Sequence, residues 1–368
     1  MGKKDKKQKA ADNKKGKRKL LIIILVILAV LITGGGLLAA KHMGNSNNTA
    51  ANTIAENVQN DTEITVTVPK INIFNGDSRP IAVVLENSTN NDWPQPGLQD
   101  AYLVYEITVE GGMTKLMALY KGKDVSDIGY VRSVRPAFID YALANDAVLV
   151  HYGHSPAAAS DEASMKVDYI NGINLLPSDK TFWTVKGYTT GNAKRMVTSI
   201  KNIQAKMKNG NIRTTSADTG LGYVAGDYDL ENVTDEAGNI TNTANSVNIT
   251  YSTSHTVSYT YDANTKLYKR FQRGAPHLAA DGMQLTAKNI IVLLADEFPL
   301  AGEYVQINTV GTGTGYYLTN GKYIEITWKK DSRTAKVQYF DKTGNEIKMN
   351  DGVTYIQVTP KGQKVIFK

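Results

Sequence analysis

Hydrophobic and polar positions change texture several times along the chain. Residues 20–40 (LLIIILVILAVLITGGGLLAA) carry no charge. At about 1.5 Å rise per residue, a helix over them is roughly 31 Å long, the thickness of a bilayer hydrocarbon core. The run exceeds the roughly 7–15 apolar residues of a cleaved signal peptide, and Leu38-Ala39-Ala40 is a poor cleavage site, so an uncleaved transmembrane anchor is expected. Residues 41–77 are rich in Asn, Thr and Ala with few large apolar groups and read as a flexible stalk.

Beyond the stalk the period alternates between strand and helix. Residues 81–85 (IAVVL) are a short apolar run suited to a buried strand. Residues 102–109 and 113–120 flank Gly111-Gly112, a hairpin signal in which glycine supplies positive φ. A two-residue turn there sets Glu106 opposite Met117 and Thr108 opposite Lys115. Residues 136–145 and 156–166 predict helices with Pro in the first turn. Residues 147–152 predict a strand, and 192–209 a longer amphipathic helix with Lys194, Arg195, Lys201, Lys206 and Lys208 on its polar side. From Val247 onward short strands recur at about 8–12-residue spacing, with turn signals at Asn320-Gly321 and Thr343-Gly344. The expected fold class is α+β: an N-terminal α/β domain over 78–210, a linker or excursion over 211–245 and a mainly antiparallel β domain over 246–368, behind a single N-terminal transmembrane helix.

Charge orients this arrangement. The formal net charge of +7 looks like polyanion affinity until it is divided. Residues 1–19 hold ten basic and two acidic side chains, or +8; the rest hold 32 basic and 33 acidic, or −1. By the positive-inside rule, residues 1–19 form a cytoplasmic basic tail and 41–368 lie outside the cell membrane. Nucleic acid is not an expected partner of the outer region. The absence of cysteine excludes disulfides, thiolate nucleophiles and Cys-based metal sites.

Three groups of residues could carry chemistry. Glu106 and Glu110, four residues apart on one strand, sit roughly 13 Å apart, too far for a glycosidase pair at about 5–9.5 Å; cross-strand ion pairing with Lys115 is the plainer role. Arg132 and Arg135, in Val131-Arg132-Ser133-Val134-Arg135-Pro136, stand just before a helix N-terminus, where two guanidiniums and free N–H groups suit a phosphate or carboxylate; pairing with Asp124 or Asp127 is the structural alternative. His151 and His154 flank a second strand-to-helix turn, with Ser155 as N-cap and Pro156 at N1. Either could be a base or a metal ligand. No HExxH or comparable zinc spacing exists, so neither metal nor cofactor is expected, and no catalytic residue is assigned.

The segments Arg79-Pro80-Ile81-Ala82-Val83-Val84, Pro94-Gln95-Pro96-Gly97-Leu98, Glu110-Gly111-Gly112, Gly129 through Pro136 and His151 through Ser155 resemble the YerB-like family of bacterial lipoproteins. Tyr268-x-Arg270, Gly313–Tyr317 and Thr327-Trp328-Lys329 resemble its separate C-terminal half. The resemblance covers roughly residues 79–365 and implies an extracytoplasmic envelope protein, a domain of unknown function with no established activity. The chain departs from the pattern in three places. A transmembrane run replaces the lipid-anchored Cys, Ser88 stands where the family has His, and Thr190-Gly191-Asn192 replaces Pro-His-Asn. If those histidines form a metal or catalytic site in the family, this chain lacks it.

The expectation is therefore a membrane-anchored extracytoplasmic protein binding an anionic cell-wall polymer or an envelope protein, with Arg132 and Arg135 gripping the anion and Glu106, His151 and His154 lining the site. Two alternatives remain: a wall-polymer hydrolase or transferase, which requires Glu106 and His151 in one pocket, and a structural component of a cell-wall or sporulation assembly.

Overall fold

The computed structural model describes residues 71–88, 94–190, 193–216, 220–228, 230 and 242–368, with the backbone alone over 186–194. They lie within one compact unit, Thr67–Lys368. The expected basic tail and anchor over 20–40 lie outside the described residues; among those described, no helix is long and apolar enough to cross a membrane.

Eight strands form the first half: β1 (Ile81–Glu86), β2 (Leu103–Thr108), β3 (Thr114–Tyr120), β4 (Ile128–Val131), β5 (Val148–His151), β6 (Tyr169–Asn171), β7 (Phe182–Thr190) and β8 (Ala193–Thr198). Three helices accompany them: α1 (Pro136–Ala144), α2 (Pro156–Ser164) and α3 (Ile200–Asn209). β1, β2 and β3 are buried at every position, because both faces of the sheet are covered. One face packs on α1 through Phe138, Ile139 and Tyr141. The other packs on Ile200 and Ile203 of α3 and on Val247, Val257 and Tyr259 of a smaller sheet.

The expected α+β class does not hold. The protein is mostly β, and the first half is not an α/β domain of its own. Its strands continue into those of the second half in one 14-stranded sheet. The last long strand, Thr354–Pro360, runs parallel to β2 on one side and to strand Asn289–Ala295 on the other. The helix expected over 192–209 is also shorter. Val197 and Thr198 instead pair with β4 as part of β8, and Ser199 caps a helix that begins only at Ile200, its hydroxyl accepting from the Asn202 N–H.

Candidate functional site

The arginine turn forms where β4 stops. Arg135 is extended (φ −123°, ψ 159°) ahead of Pro136 and offers no side-chain cap to α1. Arg132 Nε lies 2.7 Å from Glu86 Oε2, and Lys115 Nζ lies 3.4 Å from Glu86 Oε1. Arg135 binds the Glu110 carboxylate through two nitrogens, with its Nε donating over 3.0 Å. Its guanidinium also covers the Tyr304 ring at 5.1 Å. The partners are thus Glu86 and Glu110 rather than Asp124 or Asp127. Burial alone would raise the Glu86 carboxyl, but Lys115, the Ser88 hydroxyl and Arg132 hold it down at about 2. Burial lowers Lys115. Three cations thus meet two carboxylates, and Arg132, 30% exposed, is the most accessible of the cations.

The histidine turn is zipped to it. Val134 N–H donates to Gly153 O, Tyr152 N–H to Arg132 O, and Ser155 N–H to Val134 O. Gly153 sits at φ +87°, a conformation that favours glycine. His151 is fully buried with Nδ1 2.8 Å from Gly153 O, so Nδ1 carries the hydrogen and Nε2 the lone pair. Nε2 lies 3.2 Å from Glu162 Oε1, yet neither atom makes a hydrogen bond among the described residues. His154 Nδ1 meets the other carboxylate oxygen at 3.0 Å. Burial lowers His151 to about 4 and raises Glu162. Among the described residues, no three His, Asp or Glu side chains are arranged to hold a metal ion.

Glu106 is elsewhere. The β2–β3 turn is three residues long, Glu110–Gly112, closed by Val109 N–H donating to Met113 O. Glu106 therefore faces Leu116, Ile107 faces Lys115, and Thr108 faces Thr114. The one-residue slip moves Lys115 to the face opposite Glu106, where it stands directly across from Glu86. Glu106 shares its face with Leu116, Leu85, Val83 and, across the parallel β1–β5 pair, Val150. His151 follows Val150 and so points the other way. The structure brings Arg132, Arg135, His151 and His154 into two adjoining turns and leaves Glu106 out. The pairing of Glu106 with His151 on which the catalytic alternative depended is absent.

Glu106 instead centres a closed polar network. Its oxygens accept from Arg270 Nη2 at 2.8 Å, Thr114 Oγ1 at 2.8 Å and Asn87 Nδ2 at 3.1 Å, and one meets His255 Nε2 at 2.9 Å. Arg270 also donates to Tyr259 OH and to His277 Nδ1. Glu106, Arg270, His255 and His277 are wholly buried. Sequence reasoning missed the last three. One signal existed: strand Leu267–Gln272 alternates buried Tyr268, Arg270 and Gln272 with exposed Lys269, and an arginine at an inward position calls for a buried anion.

The two halves that meet across this network match, over residues 69–213 and 247–356, the N-terminal and C-terminal domains of a protein of unknown function, DUF3048; the chain belongs to that family. It is 26% identical over 296 residues to a Bacillus subtilis (strain 168) protein named "Putative lipoprotein YerB", covering 77% of this chain and 81% of that one. The crystal structure of YerB protein from Bacillus subtilis is similar in fold, with a TM-score of 0.68 at 24% identity over 79% of this chain and 94% of that chain.

Proposed function

We propose that this protein sits at the cell membrane, held through residues 20–40 with the N-terminus cytoplasmic and the bulk outside, and binds an anionic cell-wall polymer at the joined arginine and histidine turns. The lipoprotein name of the Bacillus relative supports membrane attachment. One observation carries the binding reading: among the described residues, Arg132, Arg135 and Lys115 pair with two carboxylates, Glu86 and Glu110, so that three cations stand against two anions beside the α1 N-terminus. Arg132 is the arginine with room to meet a ligand, whereas Arg135 is held by Glu110 and Tyr304. Arg132→Ala in the full-length protein should weaken binding to purified teichoic-acid-bearing sacculi about tenfold, the loss of one charge-assisted bond. Undiminished binding by a folded variant overturns the reading.

A further inference from the structure

Helix α2 rests on the protein with very little apolar surface. Of its nine residues only Ala158 and Glu162 are buried, four positions apart and so on one face. A buried glutamate calls for a cation or for hydrogen bonds to its oxygens. The guanidinium beside α2, Arg333, directs its bonds to Asp140 and to Asp161 instead. Among the described residues, no Lys or Arg pairs with Glu162. It faces two histidines, His151 at the end of β5 and His154 in the turn that follows.

The hydrogens of these groups can be placed. His151 Nδ1 gives its hydrogen to Gly153 O, so Nε2 keeps a lone pair, and it lies 3.2 Å from Glu162 Oε1. Both atoms are shut off from solvent and have no hydrogen-bond partner. A carboxylate oxygen and a lone pair at that distance repel, and the low local dielectric leaves the repulsion strong. One hydrogen between them removes it. On His151 that hydrogen would make a buried imidazolium, and burial holds the ring down at about 4. On Glu162 it is favoured by burial and by the neighbouring Asp161, against the pull of His154.

We infer that Glu162 is a neutral carboxylic acid in the folded protein, and that its hydrogen latches α2 to the histidine turn. Oε1–H donates to His151 Nε2. Oε2 accepts from His154 Nδ1–H at 3.0 Å, and the His154 side chain is about a third exposed. The other polar groups around the latch are Tyr169 of β6, whose ring lies 5.6 Å from that of His151, and Asn171, whose Nδ2 lies 3.4 Å from His154 Nδ1. When hydroxide takes the proton, the products are water and a carboxylate. The carboxylate keeps its bond to His154 but confronts the His151 lone pair, so the latch loosens as pH rises. The sign follows from linkage: a carboxyl raised in the folded protein contributes fully below its ordinary 4.5, and the contribution is lost as pH climbs through the folded value. The inference is independent of the anion-binding reading, because no cation of the arginine cluster pairs with Glu162 among the described residues.

The test uses the full-length chain in detergent micelles with no ligand present. Carbon NMR of carboxyl-labelled glutamate follows Glu162, assigned through its own backbone. Its carboxyl should titrate well above the ordinary 4.5. Hydrogen exchange at Tyr152 N–H and Ser155 N–H, which close on Arg132 O and Val134 O, reads the latch. Across the titration, protection of both amides should fall about tenfold in the parent, the loss of one hydrogen bond. It should stay level in Glu162→Gln, whose side-chain N–H replaces the carboxyl O–H and does not titrate. A Glu162 midpoint at 4.5 or below, an imidazolium at His151 beside a carboxylate, parent protection that ignores the titration, or the parent's pH dependence persisting in Glu162→Gln would each overturn the inference. If Glu162→Gln does not fold, the carboxyl titration and the exchange of the parent decide alone.

Discussion

Glu106 carries a negative charge where no water reaches it, and its neighbours make that tolerable. Burial works against the charge, but Arg270, His255 and Thr114 hold the carboxyl at about 2. Glu86, among Lys115, Ser88 and Arg132, is also held at about 2. The ordinary value is 4.5, so below it the unfolded chain takes up protons that the folded chain refuses. The stability these groups contribute is fully present above about pH 4.5 and is lost as pH falls towards 2. Glu106→Gln removes one contribution and should make the acid loss shallower. At neutral pH the same change leaves Arg270 buried without its anion and should cost about 3–5 kcal/mol. Urea unfolding across a pH series measures both. A variant as stable as the parent at pH 7, with an equally steep acid loss, would contradict this account.

At the scale of the element, the β2–β3 turn decides the most. Gly111 and Gly112 both have positive φ, at 70° and 67°. A Cβ on Gly111 meets nothing within 4 Å, whereas one on Gly112 would lie 2.8 Å from Ser252 Cβ. Gly111→Ala should therefore cost only the left-handed backbone penalty, about 1–2 kcal/mol, and Gly112→Ala clearly more. Thermal melts of the two variants give the comparison; equal losses would mean that the Ser252 contact yields freely. That the glycines make a hairpin was legible in the sequence. The loop length was not, because it depends on Glu110 joining the turn while Val109 closes on Met113. That one residue sets which carboxylate Lys115 meets.

The molecule as a whole is joined through its middle. Strand Thr354–Pro360 supplies the partner of β2 from Leu103 to Ile107. Arg270 of the second half neutralises Glu106 of the first, and His255 Nε2 meets one of its oxygens. Residues 69–245 alone would expose a long unpaired edge and strand a buried carboxylate without its cation. That fragment should give no cooperative urea transition, whereas the intact protein should; a sharp transition from the fragment would show that the first half folds by itself.

Neighbouring residues settled a good deal in advance. Pro136 and Pro156 open helices where their restricted φ suits a first turn. Asn320-Gly321, both at positive φ, turns the hairpin between strands Gly311–Thr319 and Lys322–Lys330. Such features are governed by steric and hydrogen-bonding preferences that act within a few residues, so they can be read from the chain. Glu106 lies 149 residues from His255 and 164 from Arg270, and nothing local names either partner. Whether a charged residue meets an ion pair, solvent or a ligand depends on which sheet faces close on one another. That is a property of the packed chain, and it is why the paired turns could be anticipated while the network behind Glu106 could not.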